Sequence, residues 1–244
     1  MSQPARNQIY LYASPFKGSY PSEKFSAVHP ICVNEFQARF KELGIDPSRV
    51  VVLKDASDLD KTLLEKQGIL VIPGGYTVSL CVDLKGRMDQ IRSSVAQGWN
   101  YFGSCSGGNF ACESLVGASK KTGAPLVIAN EKHLLNLLPI TANTPAYEDK
   151  KESTALVFNA AAEAFNCFWS EGSRFSRSQG VYGDAYYADI PFQPNAAVRG
   201  TFGAGKVKVS GIHPEMTPVS PLPAEEDQLR IAYMKEQFKE IGII

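Results

Sequence analysis

The sequence lacks an excess of either charge. Its 25 lysines and arginines balance its 25 aspartates and glutamates, so no broad electrostatic surface for nucleic acid, an anionic membrane or an acidic partner is expected. It also lacks a run of about 18 consecutive apolar residues, and no apolar stretch of signal-peptide length follows its first residues. We therefore expect a cytoplasmic protein that binds neither nucleic acid nor membrane and recognises its ligand locally.

Cysteine and histidine are both scarce. The five cysteines are an odd number and include no C-x-x-C pair. Neither a disulfide framework nor a zinc site has this spacing, so reduced thiols and no bound metal are expected. The chain has only three histidines, which limits the choice of a catalytic base.

Hydrophobic segments alternate between strand-like and helix-like patterns in the first half of the chain. Short β-branched runs at residues 8–13, 50–53 and 68–72 predict strands, and helical spacing predicts helices over residues 33–43, 59–66 and 88–95. This alternation is typical of a mostly parallel sheet with helices on both faces. At 244 residues and 44% hydrophobic side chains, the expected organisation is one α/β domain over residues 1–244.

The second half of the sequence favours antiparallel additions to that sheet. Strands are predicted near residues 126–129, 153–158, 196–202 and 206–211, and a closing helix over 224–241. Residues 200–206 match the G-x-x-x-x-G-K pattern of a phosphate-binding loop, but an alternating strand follows them where such a loop would open a helix. We interpret this segment as a hairpin turn. Residues 182–187 are rich in tyrosine and fit either a pocket lining or a surface loop.

One cysteine has the surroundings of a catalytic nucleophile. Cys105 stands in the G-x-C-x-G sequence from Gly103 to Gly107, at the predicted junction between a strand and a helix over residues 107–116. A strained strand-to-helix turn of this kind, the nucleophile elbow, needs small flanking residues because neighbouring backbone packs closely against it. Free N–H groups and the dipole at a helix N-terminus would stabilise a thiolate there.

A base and its partner follow the predicted strand at residues 206–211. His213 would reach the carboxyl end of the sheet, where Cys105 also lies. Glu215, two positions on and separated by a proline, would bond the far ring nitrogen and hold the imidazole in one tautomer. These three residues supply a nucleophile, a base and an orienting acid.

The same edge of the sheet offers donors for an oxyanion. The backbone amide of Ser106 follows the nucleophile, and Gly74 and Gly75 follow the third strand. Glycine allows the main chain to approach a substrate closely.

The chain resembles the class I glutamine-amidotransferase-like superfamily. It carries, in this order, the Pro-Gly-Gly run ending at Gly75, the elbow at Cys105 and the His-Pro-Glu run at His213. Within it, residues 71–113 and 205–215 are most similar to the N-terminal, amidotransferase-like domain of eukaryotic biotin-protein ligases. The resemblance implies a flavodoxin-like three-layer α/β/α sandwich, Cys105 as nucleophile, His213 as base and Glu215 as its partner. It further implies an oxyanion hole formed by Gly75 and Ser106, and no cofactor.

The sequence departs from the superfamily at one position that bears on the substrate. Glutamine-hydrolysing members have Gln two residues after the second glycine of the elbow, and this chain has Asn109. We assign Asn109 and Gly74 to substrate binding, but the substitution weakens the expectation that glutamine is the substrate. Biotinylation is not expected of these residues, because the glycine-rich adenylate-forming signature is missing.

The remaining cysteines and histidines are interpreted as structural. Cys32, Cys81, Cys112 and Cys167 are expected to be buried thiols, and His29 and His133 to be ordinary loop or surface residues.

Two functional hypotheses remain. One is an amidotransferase or amidohydrolase that acts on an amide-type C–N bond of a small-molecule substrate. The other is a catalytically silent binding or regulatory domain that keeps the same geometry. A protein partner is compatible with either hypothesis, and the oligomeric state stays open.

Overall fold

The fold was analysed in a computed structural model that describes residues 7–15, 23–63, 67–119, 122–147, 154–218 and 222–244. In the first half, strands alternate with helices as the hydrophobic pattern predicts. The elements are β1 (Gln8–Tyr12), α1 (Glu23–Glu42), β2 (Val50–Leu53), α2 (Asp58–Thr62), β3 (Gly68–Ile72), α3 (Thr77–Leu84), α4 (Met88–Ala96), β4 (Asn100–Ser104) and α5 (Ser106–Phe110).

The second half is a run of strands closed by one long helix. Its elements are β5 (Cys112–Ala118), β6 (Pro125–Ala129), β7 (Leu138–Asn143), β8 (Thr154–Asn159), β9 (Ala164–Phe168), β10 (Arg174–Phe175), β11 (Tyr182–Tyr187), β12 (Asn195–Phe202), β13 (Gly205–Ser210) and α6 (Ala224–Glu240).

The described strands form one mixed sheet. Its main path is β2-β1-β3-β4-β13-β12-β10-β7-β5-β6, with β11, β8 and β9 attached beside β12. The strands from β2 to β13 are parallel to their neighbours, and β12 joins β13 in an antiparallel pair that leads into the second half. The α/β class and the antiparallel additions predicted from the sequence are therefore confirmed.

Hydrophobic side chains cover both faces of the parallel strands. In β1, Ile9 and Leu11 pack in a cluster with α1 and α6, whereas Tyr10 and Tyr12 pack on the other face with α2, α3 and α4. This alternation follows from the two-residue repeat of a strand, because successive side chains point to opposite faces. Burying one large apolar side chain contributes about 1.5–3 kcal/mol, so the two clusters stabilise the parallel strands from both faces.

Some predicted boundaries were wrong. The helix predicted over residues 107–116 ends at Phe110, and the chain continues as strand β5. Pairing of β5 with both β6 and β7 outweighs the local helical pattern. The tyrosine-rich segment at 182–187 is not a loop but strand β11. Residues 64–66 and Ser153, at the ends of two predicted elements, lie outside the described residues.

The interpretation of the phosphate-loop-like motif is confirmed. Residues 200–206 span the end of β12, a tight turn and the start of β13, which pair in an antiparallel hairpin. Gly203 has a φ of 59° in that turn, a conformation that glycine adopts without steric cost. Among the described helices, none has the length and apolar character needed to cross a membrane.

Candidate active site

Cys105 lies on a strained turn between β4 and α5. Its backbone has φ 50° and ψ −107°, a conformation that non-glycine residues rarely adopt and that agrees with the strained turn predicted for the elbow. The turn is fixed from two sides: Cys105 N donates to the carbonyl of Ser210 at 2.6 Å, and a Cβ atom at Gly107 would overlap the carbonyl oxygen of Ile72. The packing of β3 and β13 around the turn thus holds the cysteine in this conformation.

His213 is delivered by the loop that follows β13, the strand next to β4. Its backbone N–H donates to the carbonyl of Phe168 at 2.9 Å. Its ring Nδ1 lies 2.8 Å from Oε1 of Glu215, and both side chains are buried. Since a carboxylate accepts, Nδ1 carries the proton and the other ring nitrogen is left to face the cysteine.

Ser104 completes the support of this pair. Its hydroxyl donates to Oε1 of Glu215 at 2.9 Å and lies 3.4 Å from Nδ1 of His213. Ser104 was not predicted as a site residue. The available signal was its place directly before Cys105, since successive side chains of a strand point to opposite sides and so meet different neighbours. Ser104 therefore orients the carboxylate that orients the histidine.

A buried arginine ties the histidine loop to the closing helix. Arg230 of α6 bonds the carbonyl of Pro214, and its Nε and Nη2 bond Oδ1 of Asp227 at 2.9 and 2.7 Å. An arginine with only 1% exposure is costly to bury unless such groups neutralise and satisfy it. Nothing in the local sequence signals this role, which arises only because α6 packs beside the loop.

The charge of the site is concentrated on His213. Burial alone would lower its pKa, but the carboxylate of Glu215 and the charge and hydrogen bond of Cys105 raise the pKa well above its usual value. The raised pKa favours the protonated imidazole, which lies between the carboxylate and the thiol.

The side chains of Cys105, His213 and Cys32 meet around Gly74, directly after β3. A methyl carbon placed on Gly74 would stand 2.6 Å from Cε1 of His213, 2.8 Å from Sγ of Cys32 and 3.5 Å from Cβ of Cys105. Gly74 therefore permits a close approach that any other residue would block. The predicted burial of Cys32 is confirmed, and burial raises the pKa of its thiol, but its position beside the candidate nucleophile was not foreseen.

The prediction for His29 was wrong. The residue lies within α1, is 1% exposed and bonds the carbonyl oxygen of Gly74 through Nδ1 at 2.8 Å. Burial lowers its pKa. His133, in contrast, is exposed, with Nδ1 3.1 Å from Oδ1 of Asn130, as predicted.

The two backbone donors predicted for an oxyanion both lie near Cys105. Ser106 is the first residue of α5, so its N–H has no acceptor within the helix. Its hydroxyl donates to the carbonyl of Pro73 at 3.2 Å, which links the elbow to the segment carrying Gly74 and Gly75. The geometry is compatible with the predicted roles of Ser106 and Gly75.

Asn109 is buried in α5 and has one satisfied and one free polar atom. Its Nδ2 donates to Oγ1 of Thr77 at 3.3 Å, and its Oδ1 has no hydrogen-bond partner among the described residues. An unpaired buried carbonyl costs about 1–3 kcal/mol, so a ligand that donates to Oδ1 would recover energy. The assignment of Asn109 to substrate binding stays a prediction.

Comparison with solved structures defines the class of the protein. The chain resembles a crystal structure of a glutamine amidotransferase, with a TM-score of 0.63 and 19% identity over 97% of this chain and 99% of that one. At this identity the likeness establishes the fold alone. The chain thus has the fold of that glutamine amidotransferase.

The family follows from a sequence model. The model for the N-terminal region of biotin-protein ligases matches residues 50–242. The chain therefore belongs to the biotin-protein ligase N-terminal family. The matched range includes the elbow and the histidine loop, whereas His29 and Cys32 precede it.

The other similar proteins described here do not indicate which reaction this site performs. An uncharacterized protein from Chlamydia muridarum is 30% identical over an alignment of 169 residues that covers 63% of this chain and 62% of that protein. This chain thus matches less than two thirds of that relative's length. A GH42 β-galactosidase from G. stearothermophilus has a TM-score of 0.58 and 11% identity over 98% of this chain but only 30% of its own. The fold therefore also occurs as part of a chain described as a different enzyme.

Proposed function

We propose that the protein is an amidotransferase- or amidohydrolase-like enzyme in which Cys105, His213 and Glu215 act as a catalytic triad on an amide-type C–N bond of a small-molecule substrate. The observation that carries the proposal is the convergence of Cys105 and His213 at Gly74, with the cysteine on a strained turn and the histidine held by a buried carboxylate. A residue in such a strained conformation costs about 1–3 kcal/mol, and residues of this kind cluster at active sites.

The reaction would proceed in two halves. The thiolate of Cys105 attacks the carbonyl carbon, a C–S bond forms, and the amides of Gly75 and Ser106 stabilise the negative oxygen. The proton on His213 passes to the nitrogen, the C–N bond breaks, and the amine leaves a thioester on Cys105. Water, or an acceptor amine, then gives a proton to His213 and attacks the thioester, which releases the acyl product and restores the thiolate.

Glu215 contributes without changing its own bonds. Its carboxylate holds Nδ1–H of His213, so the other ring nitrogen is the one that exchanges protons with the cysteine and the substrate. Ser104 fixes the carboxylate in turn. No metal or organic cofactor is required by these steps. Biotinylation is not part of the proposal.

Selective alkylation of Cys105 tests the proposal. Iodoacetamide should label Cys105 much faster than the other four cysteines, because burial raises the pKa of Cys81 and Cys167 to about 12 and also raises the pKa of Cys32 and Cys112. Cys81 is the internal control, since it is more exposed than Cys105. Peptide mapping with mass spectrometry identifies the labelled residue. Equal, slow labelling of all five would contradict the proposal.

A catalytically silent binding or regulatory domain is the second candidate. It is favoured by the low exposure of Cys105, 9%, because a substrate carbonyl must reach its sulfur. It is also favoured by the occurrence of this fold within a β-galactosidase chain. A cysteine that alkylates slowly, together with a specific metabolite that raises the melting temperature, would support this candidate.

The remaining assignments belong to the same proposal. We infer a flavodoxin-like three-layer sandwich, since buried clusters lie on both faces of the parallel strands. All five cysteines belong to the described part of the chain and none of them forms a disulfide, which supports a reducing, cytoplasmic location. A small-molecule substrate is the expected partner, and a protein that supplies or receives it would be compatible with the site.

A further inference from the structure

His29 contacts the backbone segment that is proposed to stabilise the oxyanion. Its Nδ1 lies 2.8 Å from the carbonyl oxygen of Gly74, in a contact that is buried and spans 45 residues of sequence. A carbonyl oxygen has no proton to give, so the ring must be the donor and the hydrogen is on Nδ1. The contact therefore fixes both the tautomer of His29 and the direction of the Gly74 carbonyl.

The direction of that carbonyl determines the direction of the next amide. In a planar trans peptide, the C=O of one residue and the N–H of the following residue point to opposite sides. Since the carbonyl of Gly74 points to His29 on α1, the N–H of Gly75 points away from α1. Gly74 itself lies against Cys105 and His213, so a rotation of this one peptide would redirect a donor beside the nucleophile.

We propose that His29 is a positioning residue of the active site: its hydrogen bond to Gly74 holds the Gly75 N–H in the orientation that receives the oxyanion. The inference rests on the proposed function. It assigns His29 no contact with the substrate, because the ring bonds the peptide that carries the donor. It also gives α1 a role in catalysis in addition to its role in the hydrophobic core.

The surroundings of His29 suit a fixed donor. Tyr12 and Asp83, which bond each other, flank it, and the ring of Tyr12 lies 6.1 Å from its ring. Burial lowers the pKa of His29, and the hydrogen bond to Gly74 and then the charge of Asp83 offset only part of that lowering. The net lowering keeps the imidazole neutral. A neutral ring donates one hydrogen bond without placing a second positive charge beside protonated His213.

Two reagents separate acyl chemistry from simple thiol reactivity. With p-nitrophenyl acetate, the thiolate of Cys105 attacks the ester carbonyl, p-nitrophenolate leaves and an acetyl thioester remains, so an oxyanion forms during the reaction. With iodoacetamide, sulfur displaces iodide and no oxyanion forms. The ratio of the two rate constants therefore reports on the oxyanion hole, whereas a general loss of site structure lowers both.

Two matched variants place the donor differently. In His29→Asn, the side-chain amide can occupy the position of Nδ1 and keep the bond, while in His29→Gln the amide falls nearer the position of Nε2. We expect His29→Gln to lower the acylation rate about tenfold or more while alkylation of Cys105 and the melting temperature stay close to those of His29→Asn. The Asn variant should retain most of the wild-type acylation.

The outcomes distinguish the inference from the function on which it rests. If wild type is acylated at Cys105 and both variants match it, His29 does not position the donor and the inference alone is wrong. An equal fall in acylation and alkylation would also overturn it, since it would show a structural role. If wild type is not acylated at Cys105 at all, using Cys105→Ala as the blank, the proposed function fails and the inference falls with it.

Discussion

Replacing Gly74 by alanine adds one methyl group at the point where the site converges. The new carbon would stand 2.6 Å from Cε1 of His213 and 2.8 Å from Sγ of Cys32, both closer than carbon and sulfur atoms pack without displacement. The histidine has little freedom to retreat, because Glu215 holds its ring at 2.8 Å. The sulfur of Cys32 is the end of a short side chain and can rotate more readily.

The expected loss of stability in Gly74→Ala follows from the cost of overpacking. Inserting a methylene into a well-packed region typically costs about 1–3 kcal/mol. For a chain of this size, each kcal/mol corresponds to a shift of roughly 2–4 °C in melting temperature, so Gly74→Ala should melt roughly 2–12 °C below wild type. Alkylation of Cys105 by iodoacetamide should slow as well, because the added methyl group crowds the space between His213, Cys32 and Cys105.

Gly86→Ala is the matched control. Gly86 is exposed, and a methyl group there would find no atom within 4 Å. Thermal unfolding and the alkylation rate should therefore stay at wild-type values. Adding Cys32→Ala to Gly74→Ala should restore only part of the lost stability, since the contact with His213 remains. If Gly74→Ala behaved like Gly86→Ala in both assays, the close packing of the histidine against Gly74 would be refuted.

Three further predictions concern the charges and the substrate of the site. Glu215→Gln should lower the pKa of His213 in an NMR titration, because the carboxylate raises it; an unchanged midpoint would show that the two do not interact. Because folding raises the pKa of His213, this residue stabilises the fold fully at pH values below its pKa of about 6.5 in the unfolded chain. That stabilisation is lost as the pH rises through the pKa of His213 in the folded protein. Wild type should therefore exceed His213→Gln in stability by more at about pH 6 than at about pH 9 in thermal unfolding, and the reverse order would contradict the raised pKa. Purified protein should release little ammonia from glutamine, since the shorter Asn109 amide is already bonded to Thr77; a robust rate that disappears in Cys105→Ala would refute this.

The parallel half of the fold and the elbow could be predicted because their signals are local. The strands that became β1, β2 and β3 are short runs of apolar residues; β1 and β3 are almost wholly buried, whereas β2, at the edge of the sheet, is buried only at Leu53. The glycines around Cys105 likewise encode a turn that the backbone angles now show. In such segments, propensity, hydrophobic pattern and tertiary environment all favour the same structure.

The residues that were missed depend on distant packing. Pro30 lies inside α1, although proline normally ends or interrupts a helix, so the helical pattern began after His29 and gave no reason to bury it. Strand β5 was missed because its pairing partners, β6 and β7, follow it in the chain. Ser104 and Arg230 meet the site through contacts that span 111 and 16 residues. No local pattern records such contacts.

The adjacency of β4 and β13 sets the order in which the site can form. The nucleophile follows β4 and the histidine follows β13, and the two strands pair in register from Tyr101 with Val207 to Ser104 with Ser210. Every strand of the antiparallel extension lies between them in sequence. Synthesis proceeds from the N-terminus, so the elbow is made before its neighbouring strand. The edge of β4 stays unpaired until β13 has been synthesised. The thiol therefore gains its base only after β13, the last strand, has paired with β4, which couples chemical competence to a late step of folding.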